Sequence, residues 1–108
     1  VNEKGQFKLS QRAKSDLVEI AQHIQIRWGR EKRNIYLAKL DEAFHLIALD
    51  PTIGAYCHDV VFGFQKYTRE NHVIFYQTAR SQEVFITRIL SRKQDYALSI
   101  NAKEQQRL

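Results

Sequence analysis

A chain of 108 residues is long enough for one small domain around one hydrophobic core, and too short for a second. No run approaches the roughly 18 consecutive apolar residues of a membrane span, and the opening VNEKGQF lacks the apolar stretch of a secretory signal, so a cytoplasmic protein away from membranes is expected. The net charge of +5, from 17 Lys+Arg against 12 Asp+Glu, favours an acidic partner, either nucleic acid or an acidic protein segment, although many small domains are as basic without one.

Residues 1 to 5 read as loose. Phe7 and Leu9, with Lys8 between them, then alternate as a short first strand would. Ser10 is placed to cap a helix. From Ala13 the apolar positions Leu17, Ile20, Ala21, Ile24 and Trp28 fall on one stripe at helical spacing, and Gly29 reads as a left-handed cap that ends it. A second helix is expected from Arg30 or Glu31 to Leu49, with Tyr36, Leu40, Ala43, Phe44 and Ile47 on its buried stripe and Asp50-Pro51 as its stop. Two amphipathic helices joined by so short a turn pack antiparallel, as an αα-hairpin with an apolar edge to lay on a sheet.

Residues 51 to 58, PTIGAYCH, hold the only proline and read as the loop back to the sheet. Val60 to Phe62 and Phe64 to Thr68 form the next expected strand, with Gly63 as a bulge or close-approach point. Arg69 to His72 turns tightly into HVIFYQTARSQEVFITRIL, two strands with apolar side chains on both faces. Two-sided apolarity predicts central strands covered by helices on one face and by something else on the other. The fold class is therefore α+β, in the order β-α-α-β-β-β, with an antiparallel sheet packed on one face by the αα-hairpin and the first strand at the sheet edge. The single domain spans 1–108, with its core at about 6–96 and a polar tail at 97–108.

Candidate chemistry is sparse. Cys57 is alone, which excludes an internal disulfide and a cysteine metal pair. His23, His45, His58 and His72 have no ligand or carboxylate at a useful spacing and read as surface histidines. The four glycines are isolated, so there is no phosphate loop, and no GxSxG elbow is present. No metal or cofactor is expected. What remains is a basic and aromatic group on and beside the sheet: Lys66, Tyr67, Arg69, His72, Tyr76, Arg88, Arg92, Lys93 and Tyr96. Such a group suits RNA, with arginines facing phosphate, and suits an acidic protein segment equally well.

The ordered pieces resemble a known family. The first helix, LSQRAKSDLVEIAQHI, carries Ala-x-x-Asp-Leu-x-x-Ile at Ala13, Asp16, Leu17 and Ile20; Trp28-Gly29, LIALDPTIG, HVIFYQ and VFITRILSRKQDY follow in order. Over about residues 6 to 96 the chain is similar to the ParE branch of the RelE/ParE toxins of type II toxin–antitoxin pairs. That resemblance implies a toxin directed at DNA gyrase and held inactive by a small acidic antitoxin in a hetero-oligomer, not an enzyme. Its expected antitoxin contacts are Lys66, Arg69, Arg88, Trp28 and Tyr76, and its expected target contacts are Arg92, Lys93 and Tyr96. The resemblance also implies the alternative, because ribonuclease members of the superfamily cut messenger RNA on the ribosome. Those members place an arginine where this chain has Val73, with basic residues corresponding to Lys66 and Arg92 and a catalytic tyrosine or histidine near Tyr96. Valine cannot stabilise a developing phosphorane charge. Without the resemblance the residues support no more than a basic interaction module.

Overall fold

The computed structural model describes residues 6–57 and 63–93. Strand β1 (Phe7–Leu9) leads into helices α1 (Gln11–Trp28) and α2 (Arg30–Leu49), then a 3-10 turn (Pro51–Ile53) and strands β2 (Ala55–Tyr56), β3 (Gln65–Arg69), β4 (His72–Thr78) and β5 (Val84–Ser91). Among the described residues no helix is long and apolar enough to cross a membrane.

The helix boundaries follow from local chemistry. Ser10 sits in extended backbone, and its hydroxyl accepts from Ala13 N at 3.0 Å, satisfying one of the orphan donors of the first turn. The same hydroxyl donates to Thr87 O at 2.7 Å, and Ser10 N donates to Ile86 O, so the cap also ties the start of α1 to β5. Gly29 ends α1 and begins α2 by itself. Its φ of 95° is positive, as a glycine cap requires, but its ψ of 171° lies outside the left-handed helical well expected there, in a region that is essentially glycine-only. A single such residue reverses the chain between two long helices. Asp50 closes α2, and its carboxylate accepts from both the backbone and the hydroxyl of Thr52, turning the chain at Pro51.

The strand order is β1-β5-β4-β3-β2. β3, β4 and β5 form the expected antiparallel meander, and β1 lies at an edge as expected. The sheet is nevertheless mixed, because β1 runs parallel to β5, with Phe7 beside Val84 and Leu9 beside Ile86. The αα-hairpin accounts for this: two antiparallel helices return the chain to the end of the sheet from which it left, and β1 is laid alongside β5 before they begin. A second correction concerns the segment expected to be a loop, where Ala55 and Tyr56 pair with Lys66 and Gln65 as a fifth, two-residue strand. The strand expected at Val60 to Phe62 lies outside the described residues.

One face of the sheet carries Ile74, Tyr76, Val84, Ile86 and Ile89 against Ala13, Ile20, Ile24, Leu40, Ala43, Phe44 and Ile47 of the helices. The other carries a smaller buried cluster of Cys57, Phe64, Val73, Phe75 and Leu90. Both faces of the central strands are thus apolar and buried, as the two-sided pattern predicts. A β-bulge decides the allocation. Phe75 pairs with Arg88 and Tyr76 with Ile86, so Thr87 is an extra residue, and the alternation shifts there. Val84, Ile86 and Ile89 all reach the helices as a result, and the Arg88 side chain reaches Asp16 on α1.

Candidate functional site: a basic cleft between the helices and a hairpin turn

The β3–β4 turn is a two-residue connection, Glu70-Asn71, with a positive φ of 53° at Glu70. It projects toward the middle of α2, where Tyr36 anchors it. The Tyr36 hydroxyl accepts from Asn71 N at 3.1 Å and lies 2.6 Å from His72 Nδ1, while Asn71 O accepts from Arg92 N at 3.1 Å. Having accepted the amide, the phenol has its own proton to give to Nδ1. With the phenol as the donor, His72 is neutral and carries its hydrogen on Nε2. Burial pushes the His72 pKa down, opposed by the charge of Asp16 and aided by His23, which agrees with a neutral ring. Burial likewise pushes Tyr36 up, the Asn71 hydrogen bond opposing and Glu70 adding to the rise.

Above this fixed floor opens a cleft of about 840 Å³. α1 contributes His23, Ile24 and Trp28; α2 contributes Lys32, Ile35, Tyr36 and Lys39; the turn and the end of β5 contribute Asn71, His72, Ser91, Arg92 and Lys93. The described lining holds two lysines from α2 and two cations from the end of β5, with no carboxylate. Lys39 reaches Glu70 at the rim, at 3.8 Å. Trp28 is 55% exposed, with the Arg27 guanidinium 5.0 Å from its ring centroid. Such an arrangement attracts an anion with a flat or apolar part. It holds no metal set: among the described residues no three His, Cys, Asp or Glu side chains gather.

The residues singled out in the sequence separate into groups. Trp28, Arg92 and Lys93, read there as contacts for two different partners, lie in this one cleft together with His72. Arg69 is on the β3 side of the turn and pairs with Glu42 of α2. Lys66 is half-buried on β3, between Ala55 of β2 and Phe75 of β4. Two expected surface contacts are corrected, because both are buried. Tyr76 is fully covered and donates to Pro51 O at 2.6 Å, and burial pushes its pKa up to about 12. Arg88 is 7% exposed and is held by Asp16. A tyrosine and an arginine on a central strand look alike in sequence whether they face a partner or the chain's own helix. Tyr96 lies outside the described residues.

His23, expected as a plain surface histidine, and Tyr36, assigned to the buried stripe, line the cleft together with Lys32 and Lys39. A signal for them exists in the sequence. Lys32, Ile35, Tyr36 and Lys39 follow i, i+3, i+4, i+7 spacing and so share one face of α2, a face that two lysines make unlike a core stripe.

Residues 7–96 match the family model described as the ParE toxin of the type II toxin–antitoxin system, parDE. The chain is 29% identical over 89 residues to Toxin ParE1 of Mycobacterium tuberculosis, covering 82% of this chain and 91% of that protein. It is 31% identical over 78 residues to Toxin ParE1 of Caulobacter vibrioides, covering 72% and 81%. Two solved structures share its fold. The chromosomal ParDE toxin–antitoxin system from P. aeruginosa superposes with a TM-score of 0.70 at 22% identity, covering 83% of this chain and 98% of that one. The RelBE2 toxin–antitoxin complex from Mycobacterium tuberculosis gives 0.62 at 18% identity, covering 82% and 99%.

Proposed function

The chain belongs to the ParE family, toxins of type II toxin–antitoxin systems, and from that membership we propose a toxin that inhibits DNA gyrase by binding it, trapping the cleaved-DNA state, and that a small acidic antitoxin neutralises. The observation that carries binding over catalysis is Val73. It is 4% exposed, packed with Cys57, Phe64, Phe75 and Leu90. By the resemblance this is where a ribonuclease of the superfamily aims an arginine at phosphate, and here the position is filled by apolar packing. Arg88, the cation on the neighbouring strand, is engaged by Asp16. Purified toxin, freed of antitoxin, should block supercoiling by DNA gyrase and accumulate gyrase-linked DNA breaks. Full gyrase activity at saturating toxin would sink this reading.

A ribosome-dependent messenger ribonuclease is the second reading, favoured by the Tyr36–His72 hydrogen bond among cations in the cleft. Mapping transcript ends after induction separates the two, since codon-linked cuts belong to the ribonuclease alone. If induction leaves growth unaffected, a basic interaction module is left.

For the antitoxin, the sheet edge at β2 supports strand addition. Tyr56 on that edge is exposed, as are Leu49 and Ile53 in the chain just before it, and Lys66 of β3 pairs with Ala55 of β2. An acidic segment seated there would have to bury about 1,500 Å² in all to hold stably. Co-expression with the small acidic protein from the adjacent reading frame should give a complex. Charge reversal at Lys66 should weaken it, and an unchanged complex would move the contact elsewhere.

A further inference from the structure

We propose that the cleft between α1, α2 and the β3–β4 turn binds a single-stranded nucleic-acid segment, with a base against Trp28 and phosphodiesters on Lys32, Arg92 and Lys93. The proposal goes beyond gyrase inhibition and does not rest on it.

Charge comes first. Lys32 approaches from α2, and Arg92 and Lys93 from the end of β5, and no Asp or Glu stands in the described lining. Cations that converge on a concave wall from separate elements focus potential into the space between them. The second feature is the flat surface. Trp28 keeps 55% of its surface in contact with solvent at the rim, although burying an indole is strongly favourable. An exposed ring next to cations is the stacking platform that single strands use, tolerant of sequence because every base has a π-face. The third is the floor. Tyr36 takes up the Asn71 amide and engages His72 Nδ1, leaving Nε2 as the imidazole's remaining polar atom, which as a donor suits a phosphate oxygen or a base carbonyl.

Size and shape select among anions. About 840 Å³ is the scale of a small-ligand site, room for one or two nucleotides. An acidic helix would need a long apolar groove to take side chains at i, i+3, i+4 and i+7. Here the lining brings four ring-bearing side chains, His23, Trp28, Tyr36 and His72, together with Ile24 and Ile35. Rings plus cations match a base plus phosphate better than a row of carboxylates.

Trp28 is the chain's only tryptophan, so its fluorescence reports on the cleft. The full chain is titrated with a short single-stranded DNA oligonucleotide, the RNA of the same sequence, the mononucleotide, and a polyglutamate peptide of matched charge. The expected result is quenching by an oligonucleotide, with log affinity falling against log salt at a slope of about −2, as three phosphates on a single strand would give. Lys32→Gln and Lys93→Gln should each weaken binding several-fold and reduce that slope by about 0.7. With a labelled oligonucleotide, anisotropy should show Trp28→Ala losing about tenfold, while circular dichroism shows each variant folded as the parent. Tighter binding by DNA or by RNA identifies the source, and either supports the site; quenching by the mononucleotide at comparable affinity would show that the flanking phosphodiesters add nothing, and overturns a strand-binding cleft. Quenching by polyglutamate alone assigns the cleft to an acidic protein and overturns the proposal. So does an absence of quenching, or cleft variants that bind as the parent does. The supercoiling assay is a separate readout, and failure here leaves it standing.

Discussion

Asp16 on α1 and Arg88 on β5, 72 positions apart, close a two-point ion pair, Nε to Oδ2 at 2.8 Å and Nη2 to Oδ1 at 3.0 Å, with side chains 10% and 8% exposed respectively. The same carboxylate accepts from Ile89 N at 2.9 Å. One side chain thus clamps the first helix to the strand just past the bulge, where the ladder has been disturbed and a backbone amide needs a partner. The aspartate of the Ala-x-x-Asp-Leu pattern serves the fold in this way.

Breaking that pair from one side leaves the buried Arg88 guanidinium without the Asp16 carboxylate that it meets at two points. Asp16→Ala should cost about 3–5 kcal/mol of unfolding free energy in urea, whereas Asp16→Leu combined with Arg88→Met should recover most of the loss. A single-variant loss below about 1 kcal/mol would mean that Arg88 finds another anion or water, and the clamp would then not be what aligns α1.

Gly54 is small because Tyr76 is large. A Cβ on Gly54 would meet the Tyr76 hydroxyl and approach Lys66 O to 2.8 Å. That hydroxyl is fixed by its bond to Pro51 O. Gly54→Ala should cost about 1–3 kcal/mol by overpacking, and Tyr76→Phe about 1 kcal/mol through the lost hydrogen bond. Because removing the hydroxyl opens part of the space the methyl needs, the double variant should cost less than the sum. Strict additivity would show that the Lys66 backbone alone sets the limit.

Stability should depend on pH at both ends. The His72 pKa is lowered in the folded chain, so the unfolded chain takes up a proton first as pH falls below about 6.5. Stability contributed by neutral His72 is then present above 6.5 and is lost as pH falls toward the lower folded value. His72→Asn should flatten this limb of a pH series of urea midpoints. At the alkaline end the sign reverses. Tyr76 is raised to about 12, so the unfolded chain loses its proton first, and the contribution present below pH 10 is lost as pH rises toward 12. Tyr76→Phe should remove that component, and an unchanged alkaline limb would refute the assignment.

The helices were legible because their ends are written locally: Ser10, Gly29 and Asp50-Pro51 act within a few residues, and stripes at helical spacing fix the faces. The central strands were legible from consecutive β-formers. The parallel pairing of β1 was not, because a three-residue strand carries no mark of its neighbour's direction. The bulge leaves a trace, since Val84 and Ile86 are followed by Ile89 rather than by an apolar residue at 88. The cleft was only half legible. Lys32 and Lys39 share a helix face by spacing, but nothing local brings Trp28, His72 and Arg92 together. That depends on how far the β3–β4 turn reaches along α2, which the Tyr36 bonds to Asn71 and His72 determine.

Val73→Arg tests whether the absence of a cation on the central strand is a matter of sequence drift or of packing. Val73 sits between Thr68 and Leu90 in the ladder and belongs to the buried cluster of Cys57, Phe64, Phe75 and Leu90. The described side chains of that cluster are apolar, so a guanidinium placed among them would lose its hydration. The substitution should lower unfolding free energy by about 3 kcal/mol or more and create no messenger cleavage on ribosomes. Two measurements check this, the urea midpoint and transcript-end mapping with the variant. A variant with the parent's midpoint would mean that the strand already has room for a cation. If codon-linked cuts appeared as well, the chain would be one residue from a nuclease, and inhibition by binding alone would have to be abandoned. The parent's packing argues for the opposite outcome, because Val73 and the four side chains clustered with it already cover one another, while Lys32, Lys39, Arg92 and Lys93 line the cleft.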